Sequence, residues 1–306
     1  MQQTELSGIL LMDKPQGFTS HDVVAKLRGI LHTRKIGHGG TLDPLATGVL
    51  PVFIGGATKA ADFAAAQDKE YVAGFTLGYC TDTQDVTGEI VQTGDRIAAE
   101  YAVKRAVRGF VGPQQQIPPM YSAVQKNGQR LYDLARQGIE VERESRKVTV
   151  YSLSLANFDE KTQTGTLEIS CSKGTYVRTI IDDIGRVLGV GAVMTALCRT
   201  SACGFSLDEC ITLDELKSIC ENGNIEEKLR SVESLFMSLG YLAVSSAQAK
   251  RFANGGALSA DRTYLAKSGY ENGQLFRMKT HDGDFLGIGI ADKPNNLIKI
   301  YFQNCR

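Results

Sequence analysis

One aspartate sits where the chain has little freedom to be regular structure. Residues 37–48 read Gly-His-Gly-Gly-Thr-Leu-Asp-Pro-Leu-Ala-Thr-Gly, with four glycines and a proline in twelve positions, a composition that predicts an ordered loop. The glycines let backbone approach a ligand closely. Pro44 restricts Asp43 to extended geometry and so fixes where its carboxylate points. A carboxylate held this way suits a nucleophile or a general base. The alternative is an Asx-turn, in which Asp43 bonds only its own backbone. His38, in the same loop, is a poor metal ligand: the chain has four histidines, and none lies with Cys or carboxylates at ligand spacing. Spacing alone pairs Arg178 with Asp182 at i+4 on a helix surface, and it reads Tyr71 as an aromatic in a strand core.

The elements that must position these residues follow from periodicity. Residues 8–12 read as a buried strand, stopped by Asp13-Lys-Pro-Gln-Gly17. Thr19 and Ser20 can cap a helix, along which Val23, Val24, Leu27, Ile30 and Leu31 repeat at helical spacing. Residues 49–54 and 71–77 read as strands, 81–88 as a loop and 98–110 as a helix. Residues 167–171 alternate as a strand, Lys173-Gly174 turns the chain, and 176–188 runs as an amphipathic helix. Near Leu239 the character changes. Ser246 can cap a short helix through Phe252, which Asn254-Gly255-Gly256 ends. Strands follow at 275–280, 285–290 and 297–302, with Asp282-Gly283 as a hairpin turn. No fixed-period repeat is visible. The expected division is 1–238 for a mixed domain and 239–306 for a small β-rich one.

Composition sets the frame. The chain has 306 residues, 42% of them hydrophobic and 22% charged, which supports a packed core. Gly is frequent at 32 and Pro sparse at 7, as suits a β-rich fold with tight turns. Lys+Arg and Asp+Glu are both 34, so net charge is zero and no bulk basicity marks a nucleic-acid binder. Locally the picture differs. Lys14, Lys26, Arg28, Arg34, Lys35 and Lys59 form one basic stretch, and Lys126, Arg130, Arg136, Arg143, Arg146 and Lys147 a second. Acidic residues gather at Asp82, Asp85 and Glu89 and from Asp208 to Glu227. One basic face is compatible with overall neutrality; the alternative is solvated charge on ordinary surface. The seven cysteines are odd in number and include no CxxC pair, which argues against a zinc site or a disulfide framework and fits a reducing cytosol. The apolar run 8–12 is too short for a signal peptide, and nothing approaches a membrane span. A cytoplasmic protein with no membrane contact is expected.

The loop at 37–51, Gly-His-Gly-Gly-Thr-Leu-Asp-Pro-Leu-Ala-Thr-Gly-Val-Leu-Pro, closely resembles the signature of the TruB class of tRNA pseudouridine synthases, which includes dyskerin. The resemblance covers almost the whole chain. Asp13-Lys-Pro-Gln-Gly17 looks like the N-terminal motif of that family. Gly56-Ala-Thr-Lys59, Lys69-Glu-Tyr71, and Gly78 with Thr81-Asp-Thr83, Asp85 and Gly88 resemble further blocks. Gln116-Ile-Pro-Pro-Met-Tyr-Ser-Ala123 and Ser172-Lys-Gly-Thr-Tyr-Val-Arg178 complete them. The C-terminal region looks like the PUA RNA-binding domain. Cys198 precedes Arg199 where many relatives carry a second basic residue.

The resemblance implies an α+β catalytic domain around a large, mainly antiparallel sheet, with a cleft crossing its face, plus a PUA-like domain. It implies conversion of uridine 55 in the TΨC arm of tRNA to pseudouridine. Asp43 matches the nucleophile. Tyr71 matches the tyrosine that stacks on the target base and accepts the C5 proton. Arg178 matches the arginine that pairs with the aspartate and would lower its pKa. Tyr176 and Leu197 match residues lining the uracil pocket, and His38 the residue that enters the RNA stack as the base leaves. Lys14 and Lys59 match supporting basic residues of the cleft. An isomerisation requires no cofactor and no metal. A monomer acting on tRNA with no protein partner is expected, the run from Lys126 to Lys147 being a candidate clamp over the RNA stem. Competing readings are a non-catalytic RNA-binding protein, a guide-RNA-dependent synthase and a hydrolase with Asp43 as general base.

Overall fold

The computed structural model describes residues 6–94 and 96–304. Strand β1 (Gly8–Lys14) is apolar through its centre and buried. Thr19 caps helix α1 (Ser20–Ile30): its side chain accepts from the Asp22 N–H, and the Asp22 carboxylate accepts from the Thr19 N–H at 2.8 Å. The chain continues through β2 (Ile36–His38), β3 (Thr47–Ile54), a 3₁₀ turn (Gly55–Ala60), α2 (Ala61–Ala65), β4 (Lys69–Leu77), β5 (Tyr79–Thr81) and β6 (Ile90–Thr93). Next come α3 (Glu100–Arg108), β7 (Gly112–Gln116), the small hairpin β8 (Gln125–Lys126) and β9 (Gln129–Arg130), and α4 (Leu131–Arg136). Then follow β10 (Arg146–Asp159), β11 (Thr164–Cys171), α5 (Val177–Leu188), β12 (Ala192–Ala202), β13 (Phe205–Ser206) and α6 (Leu213–Glu221).

Among the described residues these strands build a nine-stranded sheet in the order β1-β3-β12-β4-β11-β10-β7, with β2 on β3 and β13 on β12. All its pairings are antiparallel except β12 with β3. The architecture is thus the α+β one expected. Helices α3 and α5 bury Val103, Val107, Val177, Ile180 and Ile184 against Tyr71, Phe75, Leu167 and Leu197. Helix α1 lies on the other part of the sheet, its Val23, Val24 and Leu27 packed with Leu10, Met12 and Leu50.

A second, five-stranded sheet follows. Its elements are β14 (Tyr241–Val244), α7 (Ser246–Ala253), β15 (Leu258–Ser259), α8 (Leu265–Ser268), β16 (Leu275–Thr280), β17 (Phe285–Asp292) and β18 (Leu297–Gln303), in the order β14-β16-β17-β18-β15. It has its own core of Leu242, Val244, Phe252, Leu258, Phe276, Met278 and Ile298. An aromatic seam joins it to the larger sheet: Phe63 stands edge-on to Phe236 and Phe302, with ring centres 5.4 and 5.3 Å away. Among the described residues no helix is long and apolar enough to cross a membrane. The six described cysteines are unpaired; Cys305 lies outside the described residues.

Three sequence expectations change. Ser245 rather than Ser246 caps α7, its side chain accepting from the Gln248 N–H. The irregular loop is shorter than 37–48, because Gly37 and His38 end β2 while Thr47 and Gly48 open β3. The long strands β10 and β12 are not visible as alternating runs, because both carry register shifts. In β12 these fall between Met194 and Ala196 and again between Arg199 and Ser201. Such a bulge inserts a residue and breaks the period of two that alternation relies on.

Candidate active site

The loop carrying Asp43 is tied down from four directions. The Gly39 N–H donates to Pro51 O at 2.9 Å, and the Gly17 N–H to Pro44 O at 2.8 Å. Buried Ser20, on the first turn of α1, accepts from the Leu42 N–H at 2.9 Å. The Asp13 carboxylate accepts from the Gly48 N–H at 3.2 Å. Gly48 itself has φ near +99°, and a Cβ there would lie 2.3 Å from the Arg199 carbonyl oxygen. Only glycine fits where β3 runs beside β12.

The loop brings Asp43 against Arg178, whose Nη2 is 2.9 Å from Asp43 Oδ2. The i+4 pairing is not made: Asp182 instead bonds Arg186 at 2.9 Å and Gln84 at 3.2 Å. Arg178 is buried and held on its other side. It donates to Tyr121 O at 2.7 Å and Thr83 O at 3.3 Å, and Asp85 Oδ2 lies 3.7 Å from Nη1. Asp85, also buried, accepts from Thr83 Oγ1 and the Thr87 N–H, both at 2.9 Å. One guanidinium therefore sits between two carboxylates, one anchored and one facing the cleft. The Asp43 side chain keeps 35% exposure, so a ligand can reach it. Burial pushes its carboxyl pKa up, Arg178 opposes this, Asp85 adds to it, and Lys14 opposes it more weakly. The expected downward shift is thus corrected: the walls of the cleft outweigh the ion pair.

Tyr71 is buried in β4 directly opposite Ile169 and Arg199, in one apolar cluster with Leu42, Ala46, Val177 and Leu197. Burial pushes its phenol up, while the charge and hydrogen bonding of Arg199 pull it back. Leu197 lies in β12 opposite Ala73. Tyr176 is the residue before α5, and Gln116 clamps its backbone, accepting from its N–H at 2.7 Å and donating to its carbonyl at 3.1 Å. Its ring centre lies 5.9 Å from the Arg178 guanidinium carbon. Lys14 is fully buried, bonding Pro15 O at 2.9 Å and Phe18 O at 2.6 Å, and burial lowers its pKa to about 8. His38 ends β2 edge-on to His21, with ring centres 5.1 Å apart, and burial lowers its pKa to about 4. A neutral imidazole at working pH follows. Lys59 stands apart, exposed on the 3₁₀ turn at the far end of β3. Among the described residues no cluster of His, Cys, Asp and Glu could hold a metal ion.

Residues 28–177 match the TruB family pseudouridylate synthase N-terminal domain, and residues 178–236 the tRNA pseudouridylate synthase B C-terminal domain. A protein named tRNA pseudouridine synthase B from Geobacter sulfurreducens is 46% identical over 303 residues, covering 98% of both chains. Its namesakes from Alkaliphilus oremlandii and Bacillus subtilis are 42% and 41% identical, covering 96% and 92% of this chain and 97% and 92% of their own. This chain belongs to the TruB family. In three dimensions it is similar to a chain of a Cbf5-Nop10-Gar1 complex, at TM-score 0.73 and 26% identity, covering 98% of this chain and 84% of that one. The two TruB matches meet at the Val177/Arg178 step inside α5 and end at Phe236, before the second sheet begins.

Sequence reading gave no role to three residues of this TruB site. Asp85 had a signal, since threonines at 83 and 87 flank it at the spacing of a polar turn. Arg199 had a weaker one: a lone arginine in the otherwise uncharged run Ala192–Ala202 marks a buried cation. Gln116 opened one of the family-like blocks, but its role stayed unread, because it meets the backbone of a residue sixty positions away.

Proposed function

We propose that this chain isomerises uridine 55 in the TΨC arm of tRNA to pseudouridine, with Asp43 as the nucleophile. The observation that carries this reading is the Asp43–Arg178 ion pair, with the Asp43 side chain a third exposed and Tyr71 and Leu197 in the buried cluster that also holds Leu42 and Ala46 of its loop. Pseudouridine formation breaks the N1–C1′ bond, joins C5 to C1′, moves the C5 hydrogen away as a proton and leaves N1 carrying a proton in its place. No electrons are gained or lost. The Asp43 carboxylate attacks C1′ or uracil C6 to make a covalent intermediate. Arg178 keeps it ionised and aimed.

The base must leave its stack to reach Asp43, at a cost of a few kcal/mol. Stacking on Tyr71 returns about 1–3 kcal/mol of that. His38, neutral at the end of β2 where the Asp43 loop begins, fills the gap the base leaves. Tyr71 accepts the C5 proton, and Tyr176 and Leu197 line the uracil pocket. Lys14 supplies supporting positive charge. Residues 1–238 form the catalytic domain. Residues 239–306 form a PUA-like tRNA contact, where Tyr241, Tyr264, Arg262 and Lys267 line a groove of about 1050 Å³. The protein works in the cytoplasm as a monomer without a protein partner.

Tritium release from [5-³H]uridine-labelled tRNA transcript tests this with no added cofactor. Release by the wild type and none by Asp43→Asn, with tRNA binding retained, is the expected result. Equal release by both removes Asp43 from the mechanism, and tight binding without release by either leaves an RNA-binding protein or a guide-dependent enzyme.

A further inference from the structure

Arg199 is among the largest fully buried side chains of the molecule, and no step above uses it. It belongs to β12, between the strand that begins after the Asp43 loop and the strand that carries Tyr71. Its guanidinium donates to three backbone carbonyls: Val49 at 2.8 Å, Gly40 at 3.2 Å and Thr41 at 3.4 Å. Two of these belong to the loop three residues or fewer before Asp43. Across the other ladder Arg199 is the register partner of Tyr71, whose phenol feels both its charge and its hydrogen bonding. Its own backbone fills the space that Gly48 leaves empty.

Among the described residues Arg199 makes no ion pair, whereas Arg178 lies between two carboxylates. A buried charge that is answered only by neutral partners is held at a free-energy cost. A planar fork holds donors on three nitrogens in fixed, spread directions, so it reaches separated acceptors that the single nitrogen of a lysine cannot span. The side chain ties β3 to the loop, and the strand that carries it pairs with β4 at Tyr71.

We propose that Arg199 is the positioning residue that registers the Asp43 loop against the strand bearing Tyr71, so that nucleophile and stacking aromatic keep one geometry through turnover. This rests on the synthase reading above. Misplacement of a reacting group by about 1 Å costs roughly 100-fold in rate.

The test uses the full chain as wild type, Arg199→Met and Arg199→Lys. It reads single-turnover tritium release, tRNA affinity, and the Tyr71 phenol titration by ¹³Cζ-tyrosine NMR, assigned with Tyr71→Phe. Arg199→Met is expected to release tritium about 100-fold more slowly with tRNA affinity unchanged and the Tyr71 titration moved to higher pH. Added guanidinium ion restores part of the rate. A wild-type rate, or a loss of rate matched by a loss of affinity, overturns the proposal. If Arg199→Met does not accumulate as folded protein, Arg199→Lys decides: it keeps the charge beside Tyr71 and loses the fork. Slow release with a near-normal Tyr71 titration supports positioning, and a wild-type rate overturns it. A wild type that releases no tritium sinks the synthase reading instead, while the Tyr71 titration still reports whether Arg199 holds the phenol.

Discussion

The loop at residues 39–46 and the segment at residues 117–143 both bond Arg178, through Asp43 and the Tyr121 carbonyl, yet they are built on opposite principles. The loop is short, glycine-rich, and fastened by polar groups: buried Ser20, Arg199 and Arg178 and half-buried Asp13 each bond it or its borders. The longer segment rests on a small apolar cluster of Met120, Leu131 and Leu134 and carries its cations outward. Arg130 and Arg136 lie over the Tyr132 ring, at 5.8 and 5.4 Å from its centre, and Lys126 bonds only a backbone carbonyl, that of Glu142. Covalent chemistry requires a reacting group held to a fraction of an ångström. Gripping a polyanion requires charge within reach, and a lightly anchored segment can yield to fit it. The two meet at Tyr121, whose carbonyl accepts from Arg178 and whose hydroxyl donates to Asp82 at 3.1 Å.

The largest effect should come from the loop. Asp43→Asn keeps its shape and removes its charge, and release should fall at least roughly 10⁴-fold, the scale seen when a covalent catalyst is lost; residual release near the wild-type rate would erase the distinction drawn above. Gly48→Ala should destabilise the fold by about 3 kcal/mol or more, since its Cβ has no room and its φ no comfort. Thermal unfolding checks this, and an unchanged midpoint would show that the β3–β12 contact gives way easily.

Asp85→Asn sharpens the picture of the shared arginine. It should lower the plateau rate about 10- to 100-fold by loosening Arg178. It should also move the acid limb of the pH–rate profile. Asp85 raises the Asp43 pKa, so removing its charge lets Asp43 ionise at lower pH, and the limb shifts toward acid. A shift toward base would contradict the coupling. On the other segment, Arg130→Ala with Arg136→Ala should weaken tRNA binding about tenfold and make its salt dependence shallower by about two units of slope, leaving the rate at saturating tRNA intact. A lower saturated rate would mean that this segment shapes the chemistry after all.

The smallest effect concerns His38. Its folded pKa is near 4 against an ordinary value of 6.5. Its contribution to stability is therefore complete above pH 6.5 and is lost as pH falls toward 4, because the unfolded chain binds the proton first. Unfolding midpoints measured between pH 7 and pH 5 should drop less in His38→Gln than in wild type.

Much of this could be read from the residues in order. The Thr19–Asp22 cap, the amphipathic stretch of α5, the change of character near Leu239 and the glycine-proline loop around Asp43 are local signals, spelled within a few positions of one another. Family likeness pointed to Asp43, Tyr71 and Arg178, and the structure closes the first and last into an ion pair of 2.9 Å. The strand that carries Leu197 and Arg199 was not legible, because bulges break the alternation of β12. Nor could sequence say which way Asp43 titrates, because that depends on how much water the assembled cleft removes. Local propensity and motif spacing are properties of neighbours in the chain. The choice of Asp43 rather than Asp182 as the partner of Arg178, the burial of Lys14, and the three carbonyls gathered by Arg199 belong to segments that meet only when the sheet closes.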